Sequence, residues 1–189
     1  MPEDRGELLR EFQRMSPQTR YLRFLGVVGE LSDDVLTYLT CVDQQTHIAL
    51  VAVMTSPDLK TERGVGVARL IRLKGHPEIA EAAITVVDDL QKHGIGTALA
   101  LELERAARAR GIRHIRADVL EGNLAMRAIL QTAGAQRVDA GEMPGTISYD
   151  IAVDPEPHHA STRLIDVLRG AAQTMAVSIR KLVPPDRHA

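Results

Sequence analysis

The residues best placed to do chemistry lie in the run VVDDLQKHGIGT, Val86 to Thr97, where a polar stretch runs into Gly94 and Gly96 at the start of a helical pattern. Neither glycine carries a β-carbon, so an anionic group can come close to the backbone there. The N–H groups of His93 to Thr97 precede the first intrahelical bond and can donate to such a group, with the positive end of the helix dipole behind them. With Gln91, Lys92 and His93 adding donors or positive charge, the run makes an anion site suited to a diphosphate. A plain helix start would need the same glycines and nothing more.

Two familiar phosphate loops do not fit. A P-loop ends in Gly-Lys-Ser/Thr, whereas this chain has Gly96-Thr97-Ala98. A dinucleotide fingerprint wants a third glycine where Leu99 stands, and an abrupt turn out of the strand, whereas Asp88 to His93 intervene here. Asp118 ends a following strand roughly where a ribose-binding acid would lie, which keeps a nicotinamide-dependent oxidoreductase as an alternative from a different class.

The elements that must position this run can be read from the pattern around it. EIAEAAITVV, from Glu78 to Val87, reads as the strand that delivers it, and Thr97 to Arg110 as the helix that follows, with a stripe of Leu99, Leu103 and Ala106 and a stop at Gly111. IRHIRADVL is the next strand, Asn123 to Ala133 the next helix, stopped by Gly134, and short strands follow at Gln136-Val138 and Ile147-Ala152. Upstream, Glu7 to Met15 is helical, Ser16-Pro17 is a cap and first turn, and Ser32 caps a helix that runs to Leu39 with Asp33 and Asp34 in its first turn. HIALVAVM and VGVARLIRL form a hairpin across the polar turn SPDLKTERG. The sum is an α/β (α+β) domain with a mixed, mostly antiparallel central sheet, a helical crossover and flanking helices. Strand alternation puts Glu81 with Ala83 and Thr85 on one face, away from Ile84 and Val86.

The composition excludes several classes. A length of 189 residues suits one compact domain, and 44% hydrophobic with 25% charged residues is a globular balance. A net charge of -2 argues against nucleic acid as a partner, and three tyrosines, two phenylalanines and no tryptophan argue against base stacking. No apolar run is long enough to span a bilayer and the N-terminus is charged, so no membrane is expected. The one cysteine, Cys41, builds neither a disulfide nor a cysteine metal site; it reads as a small buried residue in a reducing cytoplasm. His158-His159 lack partners at ligand spacing, so no metal is assigned.

A resemblance carries these readings further. Gln91-Lys92-His93-Gly94-Ile95-Gly96 resembles the Q/R-x-x-G-x-G/A motif of the GNAT N-acetyltransferases. Asp118-Val119-Leu120 and Asn123 resemble that family's fifth strand and the asparagine that opens its next helix, and Gly134 stands where the family has its Leu-Gly-Phe ending. SPQTRYLRF, LTYLTCVD, HIALVAV and GVARLIR resemble the catalytic domain of bacterial Pat-like protein-lysine acetyltransferases, so the likeness covers residues 2 to 152. It implies the GNAT fold, acetyl-CoA as cosubstrate and an amine acceptor, a protein lysine or a small amine, that attacks the thioester directly. It also implies that the backbone of Ile84, Thr85 and Val86 pairs with the pantetheine arm. Gln91, Lys92, His93, Gly94, Ile95, Gly96 and Thr97 would hold the pyrophosphate, and Asn123 would reach the cofactor near the thioester, although an N-cap role suits it equally.

A lysine amine titrates near 10.4, so the reaction needs a base. The resemblance proposes Glu81, with Asp118 competing where many family members carry a glutamate. The chain departs from the family at two places: Leu130 replaces the tyrosine that protonates the leaving thiolate, and Ala135 replaces the usual phenylalanine. Solvent, Tyr149 or another group would then supply the proton, or the activity is weak, or the domain is a non-catalytic acetyl-CoA sensor. Arg105, Arg108, Arg110, Arg113 and Arg116 read as a solvated face from which one could reach the cofactor's 3'-phosphate.

The domain is expected over residues 1–153, with a Pro-rich linker over 154–160 and a helical extension over 161–183. That helix, Ser161 to Leu182, lines Leu164, Leu168, Ala171, Met175, Ile179 and Leu182 along one side. The family's first strand is absent before MPEDRGELLREF, which leaves a sheet edge for the tail to cover or for a homodimer to pair across.

Overall fold

The computed structural model describes residues 2–56, 61–139, 143–154 and 177–182. Three short helices come first: α1 (Pro2–Arg14), α2 (Pro17–Phe24) and α3 (Asp33–Thr40). Their starts follow from local chemistry. Ser16 Oγ accepts the N–H of Thr19 with Pro17 at the first helical position, and Ser32 Oγ accepts the N–H of Val35 with Asp33 and Asp34 at the positive end of the dipole. Phe12, Leu31, Leu36 and Leu39 close these helices around a small core of their own.

The sheet is built from β1 (His47–Thr55), β2 (Glu62–Leu73), β3 (His76–Val86), β4 (Arg-flanked His114–Leu120), β5 (Gln136–Val138), β6 (Thr146–Ala152) and β7 (Val177–Lys181). Its spatial order is β5-β6-β4-β3-β2-β1-β7, and every pairing is antiparallel except β3 with β4. The parallel pair is bridged by α4 (Ile95–Arg108), and α5 (Leu124–Thr132) connects β4 to β5. The expected mixed, mostly antiparallel sheet with a helical crossover is the one observed.

The sheet has two unlike faces. Leu50, Ala52, Ala68, Leu70 and Ala80 pack with Ile95, Leu99, Leu103 and Ala107 of α4, forming the main core. A third cluster of Val119, Leu130, Ile147 and Tyr149 fixes α5 beside it. The alternate residues of β2 and β3 face the other way, toward α1 and α2, which pack on β2 and β3 respectively. Among the described residues, no helix is long and apolar enough to cross a membrane.

Two expectations change. Residues 177–181 of the expected C-terminal helix form β7 instead, pairing from Leu50↔Lys181 to Met54↔Val177. The apolar residues there fit a helical stripe, but Val177 and Ile179 also alternate with period two, and the uncovered edge of β1 offers a row of N–H and C=O groups that only a strand can satisfy. Leu182 N–H donates to Ala49 O at 3.0 Å and Gln44 Nε2 reaches Leu182 O at 2.5 Å, so the edge is closed by the tail as foreseen, in a different conformation. Residues 155–176, with His158 and His159 and most of the expected linker and helix, lie outside the described residues. Cys41, expected to be buried, is exposed at the end of α3.

Candidate active site

The diphosphate-like cradle is assembled by a sharp exit from β3. Val87 N–H still bonds Val65 O at 3.0 Å, then a short 3-10 turn at Asp88–Leu90 buries Leu90 as an anchor. Lys92 adopts φ 64° and Gly94 φ 82°, a left-handed pair flanking His93. Such turns make successive N–H groups converge on one point, and a non-glycine residue held there costs on the order of 1 kcal/mol. Ala98 is the first residue of α4 to bond back, to Gly94 O at 3.0 Å, so the N–H groups of Ile95, Gly96 and Thr97 have no carbonyl one turn behind them. The first turn of α4 carries no acidic residue, and buried Ile95 plugs it into the core. These features fit an anionic ligand.

The acids next to the cradle are held by the start of α2 and by β2. Asp88 accepts from Ser16 N at 2.9 Å, Ser16 Oγ at 2.8 Å and Thr19 Oγ1 at 2.6 Å; burial pushes its pKa up, and these bonds overcome that and hold it below the usual carboxylate range. Asp89 pairs with Arg63, which holds its pKa down as well. Gln91 Nε2 donates to Thr19 Oγ1 and to Val86 O, both at 3.3 Å, and His93 Nδ1 donates to Gln91 O at 2.8 Å. The cradle and the start of α2 are thus one fastened unit.

Beside the cradle the sheet splits. β3 and β4 pair only from Ile79↔His114 to Glu81↔Arg116; beyond that β3 continues to Val86 and β4 to Leu120 without pairing, although each keeps its other neighbour. Arg113 N–H bonds Glu78 O and Val87 N–H bonds Val65 O, so strand alternation turns the backbone groups of Ile84 and Val86 into the opening and those of Thr85 toward β2. Ile84, at 37% exposure, borders the opening. A wedge of unused strand edge next to an anion cradle can hold a ligand with a phosphate end and an amide-bearing arm.

Glu81 is on the opposite side of the same strand. Its register neighbours on that face are Ile71 of β2 and Arg116 of β4. Arg116 grips Asp150 in a two-pronged pair at 2.7 and 2.8 Å, and Asp118 accepts Ser148 Oγ at 2.5 Å. Arg69, opposite Ala83, is 4% exposed and donates to His47 Nε2 at 3.2 Å; the His47 ring lies 4.9 Å from that of Tyr38. Burial, then the Arg69 charge, lowers the His47 pKa to about 4, so it is neutral and accepts this bond. Burial, then Arg23, brings Arg69 down to about 10.

The profile described as "Acetyltransferase (GNAT) family" matches residues 23–135. An acetyltransferase of Pseudomonas aeruginosa is 33% identical over 132 residues, 70% of this chain and 69% of that one. The chain belongs to the GNAT acetyltransferase family. The acetyltransferase Pat of Mycolicibacterium smegmatis is 33% identical over 174 residues, 92% of this chain, and the match spans 50% of that relative's length. The crystal structure of the GNAT domain of S. lividans PAT superposes with a TM-score of 0.68 at 25% identity, covering 79% of this chain and 85% of that one. This GNAT protein is therefore an acyltransferase of a family that uses acetyl-CoA and an amine acceptor.

Gln91 to Thr97 follow directly on β3, whose edge at Ile84 and Val86 faces the β3–β4 opening. Thr85 does not present its backbone there; its Oγ1 is buried on the Glu81 face without a hydrogen-bond partner among the described residues. Asn123 Oδ1 caps α5 by accepting Met126 N–H at 3.2 Å, and its amide nitrogen makes no hydrogen bond among the described residues. Leu130, 6% exposed, and Tyr149, 2% exposed, are members of the third core cluster. The arginines expected on a solvated face are largely committed: Arg108 donates to Asp154 O and Glu104, Arg110 to Gln44 O and Ala106 O, and Arg116 to Asp150. Sequence reading missed Arg23, Tyr38, His47 and Arg69. An arginine among the apolar residues of GVARLIR, in phase with Glu81 across the hairpin, was the available signal.

Proposed function

We propose that this protein transfers the acetyl group of acetyl-CoA to a primary amine, with a lysine side chain of a protein as the acceptor. One observation carries the reading: a left-handed amide cradle and an open strand edge meet at the end of β3, and a carboxylate, Glu81, lies on the other face of that strand. Bound acetyl-CoA supplies the activated thioester. The N–H groups of Ile95, Gly96 and Thr97, with Lys92 and His93 beside them, hold the pyrophosphate, and the backbone groups of Ile84 and Val86 align the arm. Glu81 takes the proton that the ammonium must lose to become a nucleophile. Asp118, held by Ser148, orients rather than accepts. With Leu130 and Tyr149 in the core, water in the β3–β4 opening protonates the leaving thiolate. The likeness to Pat-like protein-lysine acetyltransferases favours lysine.

Thiol release from acetyl-CoA with lysine peptides tests this. Glu81→Gln should keep coenzyme A affinity and lower kcat by about 10²–10⁴-fold at neutral pH, the usual range for general base catalysis, with a smaller loss as pH approaches the amine's own pKa. Equal activity of wild type and variant across pH removes Glu81 from the role, and no thiol release with any amine refutes the function.

A further inference from the structure

Strand register carries one row of side chains across the Glu81 face. His47 of β1 lies opposite Ile71 of β2, Ile71 opposite Glu81 of β3, Glu81 opposite Arg116 of β4, and Arg116 opposite Asp150 of β6. Partners across a ladder point to the same face with their strands about 5 Å apart, so the Arg116 side chain leaves the sheet next to that of Glu81. Asp150 is one strand further, about 10 Å from Glu81. Glu81 and Arg116 are also the last pair before β3 and β4 part, so this cation borders the opening.

Arg116 is fixed in that place. Its Nε and Nη2 donate to the two carboxylate oxygens of Asp150 at 2.7 and 2.8 Å, and Nη1 makes no hydrogen bond among the described residues. A two-pronged bond sets the plane of a guanidinium as well as its position. That bond raises the Arg116 pKa against the opposing effect of burial, and the charges of Asp150, Asp118 and Glu81 add to the rise, so Arg116 is a permanent cation. The other charged and titratable groups around Glu81 lie further along or are engaged elsewhere. On β4, His114 is exposed opposite Ile79, and Asp118, two positions beyond Arg116, accepts from Ser148. On β2, Arg69 stands opposite Ala83 and bonds His47. The helix α2, which packs on β3, brings Arg23, whose pKa is lowered by burial, an effect that the charges of Glu81 and Tyr38 offset. On α1, Glu7 and Glu11 are taken by Gly64 N–H and Arg63 near the start of β2. Among these, Arg116 is the cation that the ladder sets beside Glu81.

We infer that Arg116, clamped by Asp150, is a positioning residue of the transfer, whose charge keeps the half-buried Glu81 carboxylate ionised and so ready to take a proton from the acceptor amine. This rests on the proposed acetyl transfer with Glu81 as its base. Burial favours the neutral form of a carboxyl, and a fixed cation on the next strand works against that. Asp150 gives the arrangement its balance. A bare cation at that distance would hold Glu81 ionised but also make it a weaker base, and the carboxylate behind Arg116 limits the second effect.

The test is the pH dependence of kcat/KM for acetylation of a lysine peptide by the full chain, read beside a carbon-13 NMR titration of the Glu81 carboxyl, assigned with Glu81→Gln. In Arg116→Gln the acid limb of the profile and the Glu81 midpoint should both move up by about one pH unit or more, and by less at high salt. Arg116→Lys keeps the charge and should hold both near their wild-type positions. The double variant Arg116→Gln with Asp150→Asn leaves no orphaned carboxylate and should still move both upward, by less than Arg116→Gln alone. If Arg116→Gln does not fold, the lysine and double variants decide the matter. An acid limb and a midpoint that stay in place in Arg116→Gln, with activity lost evenly across pH, describe a purely structural clamp and overturn the inference while leaving acetyl transfer standing. A double variant that returns to the wild-type profile also overturns it, since the shift then came from the unpaired Asp150, and so does a lysine variant that moves as far as the glutamine one. If the wild type acetylates no amine, the proposed function fails and the inference fails with it.

Discussion

Gly66→Ala isolates the packing that positions the cradle. Gly66 lies opposite Val86 in the β2–β3 register, under the first turn of α4. A β-carbon there would stand 3.0 Å from Leu99 Cδ1, 3.1 Å from the Thr85 carbonyl oxygen and 3.4 Å from Ile95 Cγ2. Leu99 and Ile95 are buried in the main core and the carbonyl is main chain, so none can swing away; the first turn of α4 must lift from the sheet. Overpacking of this kind costs about 1–3 kcal/mol, and the reduced freedom of the unfolded chain returns about 0.4–1 kcal/mol. A net loss of roughly 0.5–2 kcal/mol lowers Tm by about 2–8 °C in a chain of this size. The same turn carries the amides of Ile95 to Thr97, so coenzyme A affinity should drop about 3- to 10-fold, up to the 1.4 kcal/mol that one decade represents. Differential scanning calorimetry and titration calorimetry with coenzyme A measure both. Gly29→Ala, where a β-carbon meets nothing within 4 Å, is the control and should change neither. A Gly66→Ala protein that melts with the wild type and binds coenzyme A equally well would refute the link between β2 packing and the cradle.

Three further outcomes are expected. His47 has a folded pKa near 4 against an unfolded value near 6.5, so the fold binds fewer protons in that window; stability is flat above pH 6.5 and falls by up to about 3 kcal/mol as pH drops toward 4, and denaturant titrations of His47→Gln should lose that slope. Asp88→Ala removes the three bonds to Ser16 and Thr19, should cost about 1–2 kcal/mol in denaturant melts, and should raise acceptor KM more than it weakens coenzyme A binding, because it unfastens α2 from the cradle. Ser178→Pro removes an N–H that the Leu182–Ala49 bond places, by alternation, in the β7–β1 ladder; β1 amides should then exchange faster with deuterium and the protein should self-associate in size-exclusion chromatography.

The sequence was legible where structure is local. Ser16-Pro17 and Ser32 announce their caps, Gly111 and Gly134 turn at φ 68° and 79°, and Gly94 opens α4 at φ 82°, because each depends on a few consecutive residues. The face shared by Glu81, Ala83 and Thr85 was equally readable, since strand alternation is strict. The strand at Val177–Lys181 was not: five residues compatible with either period are decided by whether a β1 edge is waiting, and that edge is more than a hundred positions away in the chain.

By itself the sequence determined the order of the elements up to β6, the mixed sheet and the glycine turn that opens α4, since periodicity, caps and glycines encode these within a single turn or strand. Only the tertiary structure decided that β3 and β4 part after Glu81, that Tyr149 is buried in the core, and that Arg69 bonds His47. Those are relations between chain segments brought together by burial of the apolar faces, and burial is indifferent to sequence distance.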